Sequence, residues 1–231
     1  MAAFSDRVQA GRVLAGLLRD YAGRPDLLVL ALPRGGVPVG YEVAAALRAP
    51  LDVLVVRKLG LPGHEELAMG AIAGPGGGTV VVNDEVVRLS GVPASVLEER
   101  ARVERAELTR RERLWRGDRP PAEVAGRLVV LVDDGLATGS TMRAALRSLR
   151  ALGPAAVIVA VPTAPLAACQ RLALEADAVV CPSNPVPFIA VGHSYQVFDQ
   201  TGDDQVRDLL ARAAAELESG RVDQTGAAGR E

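Results

Sequence analysis

The sequence predicts an α/β fold, a doubly wound and mainly parallel sheet, on three observations. Apolar runs of strand length recur along the chain: LLVLAL (27–32), LDVLVV (51–56), RLVVLV (127–132), AAVIVAV (155–161) and AVV (178–180). They are nearly continuous rather than alternating, as parallel strands buried on both faces require. Helical stretches rich in alanine and leucine separate most of them, and the order strand, helix, strand implies a right-handed parallel crossover.

The elements follow in chain order. Ala10, Val13, Leu14, Leu17, Leu18 and Tyr21 fall at helical spacing and predict an amphipathic first helix, with Ser5 capping its first turn. Asp6, Arg7 and Arg12 break its apolar content, so neither a signal peptide nor a membrane span is expected there. After LLVLAL, the glycine turn PRGGVPVG feeds a helix ending near Leu47, and LDVLVV is the second strand. Leu59 to Gly126 departs from the alternation. It begins as a flexible, polar, glycine-bearing loop, passes MGAIA and TVVVN as a hairpin around GPGGG, and ends in a charged helix from about Pro93 to Arg116. Leu97, Ala101, Leu108 and Trp115 give that helix one modest packing stripe, which Glu104 and Arg111 interrupt. Helices are expected at Thr141 to Leu152 and Pro165 to Glu175. The proline-rich segment 182–204 is too irregular for either period and is expected to form a small C-terminal hood, or cap, over the sheet edge. The whole reads as a single domain over 1–218, with 59–126 as its excursion, followed by a disordered tail at 219–231.

Composition narrows the function. The chain has 231 residues, 49% of them hydrophobic, enough for one sizeable core. With a formal net charge of -2, a pI near 5.8 and 3% aromatic residues, it offers neither a basic field nor a stacking surface for nucleic acid. Cys169 and Cys181 lack CxxC spacing and a nearby histidine, which argues against a zinc site or a disulfide framework and for a cytoplasmic setting. Of the 26 basic residues, Lys58 alone is lysine. A compact ammonium in an otherwise all-arginine chain marks that position as chemically distinct.

The chemistry concentrates in VVLVDDGLATGST (129–141). In an open parallel sheet, ligands bind beyond the carboxyl ends of the strands, where Asp133 and Asp134 fall. Ionised carboxylates accept hydrogen bonds from a vicinal diol, or approach one through a hydrated divalent cation. The turn then delivers Ser140 and Thr141 to a helix start, whose free N–H groups and partial positive charge suit a phosphate. Together these fit a sugar phosphate. No lysine precedes Ser140, which excludes a Walker A loop, and Gly35, Gly36 and Gly40 have the wrong spacing for GxGxxG.

This run resembles the 5-phosphoribosyl 1-diphosphate (PRPP) motif of the type I phosphoribosyltransferases. The resemblance implies that Asp133 and Asp134 hold the ribose hydroxyls, and that Ala137, Thr138, Gly139, Ser140 and Thr141 form the phosphate loop. LPRGG (32–36) falls where family members place a diphosphate-binding loop that often contains a non-proline cis peptide; Arg34, Gly35 and Gly36 would be its binding residues. VRKLG (56–60) resembles the VRK that several members use on diphosphate, through Arg57 and Lys58. The following LGLPGHEELAMGA would be the mobile loop that closes over the reaction, and Phe188, Tyr195 and Phe198 would lie in the hood that holds the incoming base. His64, Glu65, Glu66 and His193 read as exposed polar residues.

The implied activity is Mg2+-dependent transfer of the phosphoribosyl group to a nitrogenous acceptor with loss of diphosphate. Arg34 and Lys58 would be catalytic with Asp133 and Asp134, the two aspartates also reaching the metal through water or the ribose hydroxyls. One departure bears on the acceptor. Purine-salvage members often carry an acidic residue in the turn, where this chain has Ala137, so hypoxanthine or guanine salvage is disfavoured. The expected partners are PRPP, an unidentified small-molecule acceptor and a second copy of the chain; nucleic acid and membrane are not. The alternative is a non-catalytic PRPP-sensing regulatory protein.

Overall fold

The computed structural model describes residues 2–74 and 78–227. Five strands, β1 (Leu27–Ala31), β2 (Leu51–Val53), β6 (Leu128–Val132), β7 (Ala156–Ala160) and β8 (Ala178–Val180), form a parallel sheet in the order β2-β1-β6-β7-β8. Helices α1 (Arg7–Leu17) and α2 (Gly36–Leu47) cover one face, and α5 (Ser140–Arg150) and α6 (Leu166–Leu172) the other. The unbroken apolar runs explain this. Along β1, Leu27 and Val29 enter the α1/α2 core with Leu14 and Leu47, while Leu28 and Leu30 enter the α5/α6 core with Met142 and Leu146. A strand feeding two cores cannot alternate with polar residues.

The second apolar run is not one strand. β2 stops at Val53; Leu54 and Val55 carry the chain out of the first sheet, and Val56 starts β3 (Val56–Leu61) of a second one. There β3, β4 (His64–Ala73) and β5 (Thr79–Val82) are antiparallel. The expected mobile loop is therefore largely a hairpin: Leu59 pairs with Gly70 and Leu61 with His64, leaving Pro62 and Gly63 as its turn. Leu59, Met69 and Ile72 are fully buried, which supplies the driving force that the polar residues of the segment conceal. Residues 75–77 of the expected GPGGG turn lie outside the described residues.

After α3 (Asp84–Ser90), the charged helix α4 (Ala94–Arg116) packs Ala101, Leu108 and Trp115 into a third core with Leu59 and Ile72. Arg116 ties it to the first sheet, its Nε donating to both carboxylate oxygens of the buried Asp52 at 3.0 and 3.1 Å. α7 (Asp203–Ala227) returns along α2 and α4. α7 thus runs through residues 219–227 of the expected tail; residues 228–231 lie outside the described residues. Asp6, not Ser5, caps α1, its Oδ1 accepting from Gln9 N–H at 2.8 Å. The hood contains a short 3-10 turn (Val191–Ser194) and is pinned to the N-terminal segment: Phe4 N–H donates to the Ser194 carbonyl at 2.9 Å. No described helix is long and apolar enough to cross a membrane.

Candidate active site

The site lies where the strand order reverses, between β1 and β6. Their register pairs Ala31 with Val132, and Leu32 N–H extends the ladder to the Val132 carbonyl at 2.8 Å, so both chains leave the sheet together. That is the crevice in which doubly wound folds hold ligands. One chain turns through the cis peptide Pro33-Arg34 into Gly35, Gly36 and α2; the other presents Asp133 and Asp134. The two turns touch because Gly35 and Gly36 lack side chains. A Cβ on Gly35 would stand 2.0 Å from Asp134 Oδ2, and one on Gly36 2.9 Å from Asp133 Cα.

Two adjacent carboxylates in this crevice are held against their ordinary chemistry. Burial pushes the Asp133 carboxyl well above its ordinary range, and the charge of Asp134 adds to the effect. Burial also raises Asp134, but Arg7 opposes it, donating from Nε to Oδ2 at 2.8 Å. The Asp134 carbonyl accepts from the Tyr195 hydroxyl at 2.5 Å, and the Asp134 N–H donates to Asp133 Oδ1 at 2.8 Å.

Beyond the pair, Gly135 (φ 155°) packs so closely on Thr163 and Val191 that no side chain fits. Leu136 is buried, Ala137 and Thr138 are exposed, and Gly139 (φ 77°) sets the chain into α5. Ser140 and Thr141 lie exposed at the helix start, with Thr138 Oγ1 accepting from Ser140 N–H at 3.3 Å. Arg171 of α6 donates to the Thr138 carbonyl at 3.4 Å. An acidic pair thus sits between two helix starts, α2 and α5, at the carboxyl end of the sheet.

The family model for the phosphoribosyl transferase domain matches residues 6–197, which contain every one of these groups. The chain belongs to this family. Two Mycobacterium tuberculosis proteins, each named "Putative phosphoribosyl transferase", are 47% identical to it over 224 residues, 96% of this chain and 50% of theirs. The chain therefore spans about half the length of these curated relatives. The crystal structure of a Thermus thermophilus protein, TT1426, is 44% identical and superposes with a TM-score of 0.81, covering 91% of this chain and 98% of that one.

Within this phosphoribosyl transferase domain, the three cations expected at the diphosphate are not drawn onto the aspartates. Arg34 faces Asp203 at 3.7 Å, and Asp203 also accepts from Trp115 Nε1–H at 2.8 Å. Arg57 Nε donates to Glu104 Oε2 at 2.6 Å. Glu104 is one of the two residues that interrupt the α4 stripe, and this pairing accounts for it. Lys58 is exposed on β3 opposite Ala71. His64 and His193 are exposed; the side chains of Glu65 and Glu66 lie outside the described residues.

Arg7, Glu104, Asp203 and Arg171 were not legible as site residues in the sequence. Arg7 alone left a signal. It occupies the first turn of α1, where the helix dipole disfavours a cation, a weak mark of the position that does not name the partner.

The donor set suits Mg2+ only in company. Among the described residues no three His, Cys, Asp or Glu side chains group to hold a metal. Two neighbouring carboxylates remain, and Mg2+ is commonly held by one or two carboxylates together with water and substrate phosphates.

Proposed function

We propose that this chain transfers the 5-phosphoribosyl group of PRPP to a nitrogenous, nucleobase-like acceptor, releasing diphosphate in a Mg2+-dependent reaction. The observation that carries the reading is the Asp133-Asp134 pair set between two helix starts at the sheet switch point. An acceptor nitrogen donates its lone pair to C1 of the ribose as the C1–O bond breaks, the electron pair leaves with diphosphate, and the nitrogen's proton passes to solvent. Asp133 and Asp134 accept hydrogen bonds from the ribose hydroxyls and fix C1 in line with its nucleophile. The N–H groups at the start of α5, with Thr138, Ser140 and Thr141, hold the 5-phosphate. Backbone amides of Gly35 and Gly36, with Arg34, Arg57 and Lys58, take the diphosphate, where negative charge grows as the bond breaks. Asp133 and Asp134 are the residues that would hold Mg2+, which when bound neutralises the leaving diphosphate.

Saturating PRPP with Mg2+, at 100 times Kd, is expected to add about 2.7 kcal/mol of stability, a rise of roughly 5–10 °C in Tm. The double variant Asp133→Asn, Asp134→Asn should lose that shift; its persistence would sink the ribose assignment. Diphosphate release screened across nucleobases and small amines then identifies the acceptor, whereas tight PRPP binding with silence throughout would favour a sensor. Lys58→Ala should lower kcat by about 100-fold, as loss of one group stabilising developing charge does. Ribose 5-phosphate, titrated in parallel, should bind it nearly as it binds the unaltered chain.

A further inference from the structure

The N-terminal segment physically joins the acidic pair to the hood. The Arg7 side chain, 12% exposed, directs Nε and Nη2 at the same oxygen, Asp134 Oδ2, each at 2.8 Å. Its Nη1 donates to the Asp199 carbonyl in the hood at 2.7 Å, and its guanidinium carbon lies 3.9 Å over the Phe198 ring. Phe198 stacks on Tyr195 at 4.9 Å, and Tyr195 returns to the Asp134 carbonyl. Gln196 and Val197 N–H groups donate to the Phe4 and Ser5 carbonyls, each at 2.9 Å, which fixes the hood against the start of α1.

We infer that Arg7 is the positioning residue that holds Asp134 as a ribose-hydroxyl acceptor and makes that geometry depend on the hood; the inference rests on the phosphoribosyl-transfer reading above. Arg7 takes Oδ2 on the side where Gly35 also abuts, which leaves Oδ1 as the oxygen it does not engage. A planar fork on a carboxylate, stacked on a ring, fixes the carboxylate's direction as well as offsetting its charge; an ammonium supplies charge without the same fixed geometry. Because the same guanidinium grips Asp199 and Phe198, displacing the hood displaces Asp134. Loss of Arg7 therefore falls on ligands that carry the ribose, and not on diphosphate alone.

The test is calorimetric titration of the full chain and its variants with PRPP plus Mg2+, and in parallel with inorganic diphosphate without added metal, whose proposed contacts are Arg34, Arg57, Lys58 and the Gly35 and Gly36 amides. Arg7→Met should weaken PRPP binding by about 10–100-fold, the range expected for losing hydrogen bonds to a charged group, while diphosphate binds as before. Arg7→Lys should recover part of the loss. In an Asp134→Asn background, Arg7→Met should cost less than about 3-fold more, because the two act as one unit. Should Arg7→Met fail to fold, Phe198→Leu keeps the hydrogen bonds and removes the ring, and is expected to weaken PRPP by about 3–10-fold with the same selectivity. Unchanged or tighter PRPP binding, or equal loss of PRPP and diphosphate, overturns the role of Arg7 alone. An unaltered chain that binds no PRPP overturns the phosphoribosyl reading, and this inference with it.

Discussion

Gly35→Ala is expected to abolish PRPP binding, a loss of at least about 100-fold, while leaving the fold standing. Gly35 has φ −61° and ψ −32° at the start of α2, a conformation alanine adopts freely, so propensity alone favours the substitution. What forbids it is proximity: the new Cβ would lie 2.0 Å from Asp134 Oδ2 and 2.6 Å from its Cγ. The carboxylate is the mobile party, and it must swing away from both Gly35 and Arg7. Gly36→Ala meets backbone instead, Asp133 Cα and the Val132 carbonyl oxygen, both at 2.9 Å. Neither atom moves without shifting the end of β6, so this variant is expected to lose about 1–3 kcal/mol, or roughly 2–12 °C in Tm. Thermal melts and PRPP titration of both variants separate the cases. Gly35→Ala with normal PRPP affinity would show that the contact with Asp134 does not matter to the ligand.

The contrast shows what a sequence can and cannot expose. The strands and the donor motif were legible because their signals are contiguous: five apolar residues of β6 run straight into Asp133 and Asp134, and the turn after them leads into α5. The parts that were not legible depend on partners far along the chain. Arg7 meets Asp134 across 127 positions, and Arg57 meets Glu104 across 47. No local pattern announces either pairing. The β3/β4 hairpin was hidden for another reason. Its Gly60 and Gly70, with the Pro62-Gly63 turn, carry the composition of a loop, while Leu59, Met69 and Ile72 bury too sparsely in sequence to form an apolar run. Burial against α4 and α5 decides its structure, and burial is a tertiary fact.

The charged helix gains a role from these pairings. Glu104 of α4 pairs with Arg57, and Asp203 at the start of α7 pairs with Arg34. Under the proposed reaction these are the cations that diphosphate would take, so the two carboxylates compete with the ligand for them. Under that reading the excursion and the C-terminal helix would set how readily these cations are released to the diphosphate, in addition to packing against Leu59 of β3.

Asp133→Asn is expected to make the chain more stable at neutral pH, measured without PRPP, while destroying PRPP binding. The folded state holds the Asp133 carboxyl well above its ordinary value, first through burial and then through the charge of Asp134. Between the unfolded and folded values the native state therefore binds more protons than the unfolded chain, and stability falls as pH rises through that window. The cost of the ionised form builds as pH rises above the unfolded value and is complete above the folded one. Asparagine removes the charge yet keeps an oxygen to accept from Asp134 N–H, so a gain of about 1 kcal/mol, roughly 2–4 °C in Tm, is expected. The gain should vanish below about pH 4, where an ordinary aspartate is protonated too. Asp134→Asn should gain less, because Arg7, 12% exposed, then loses the carboxylate that offsets its own burial. Melting curves of the three proteins from pH 3 to 8 check the order. A fall in Tm for Asp133→Asn at neutral pH, or a gain that persists at pH 3, would mean that the buried pair is not stored cost in the fold. The proposed reaction would draw on that cost, since ribose hydroxyls donating to the pair, with the cation that accompanies the donor, relieve the repulsion between the two carboxylates.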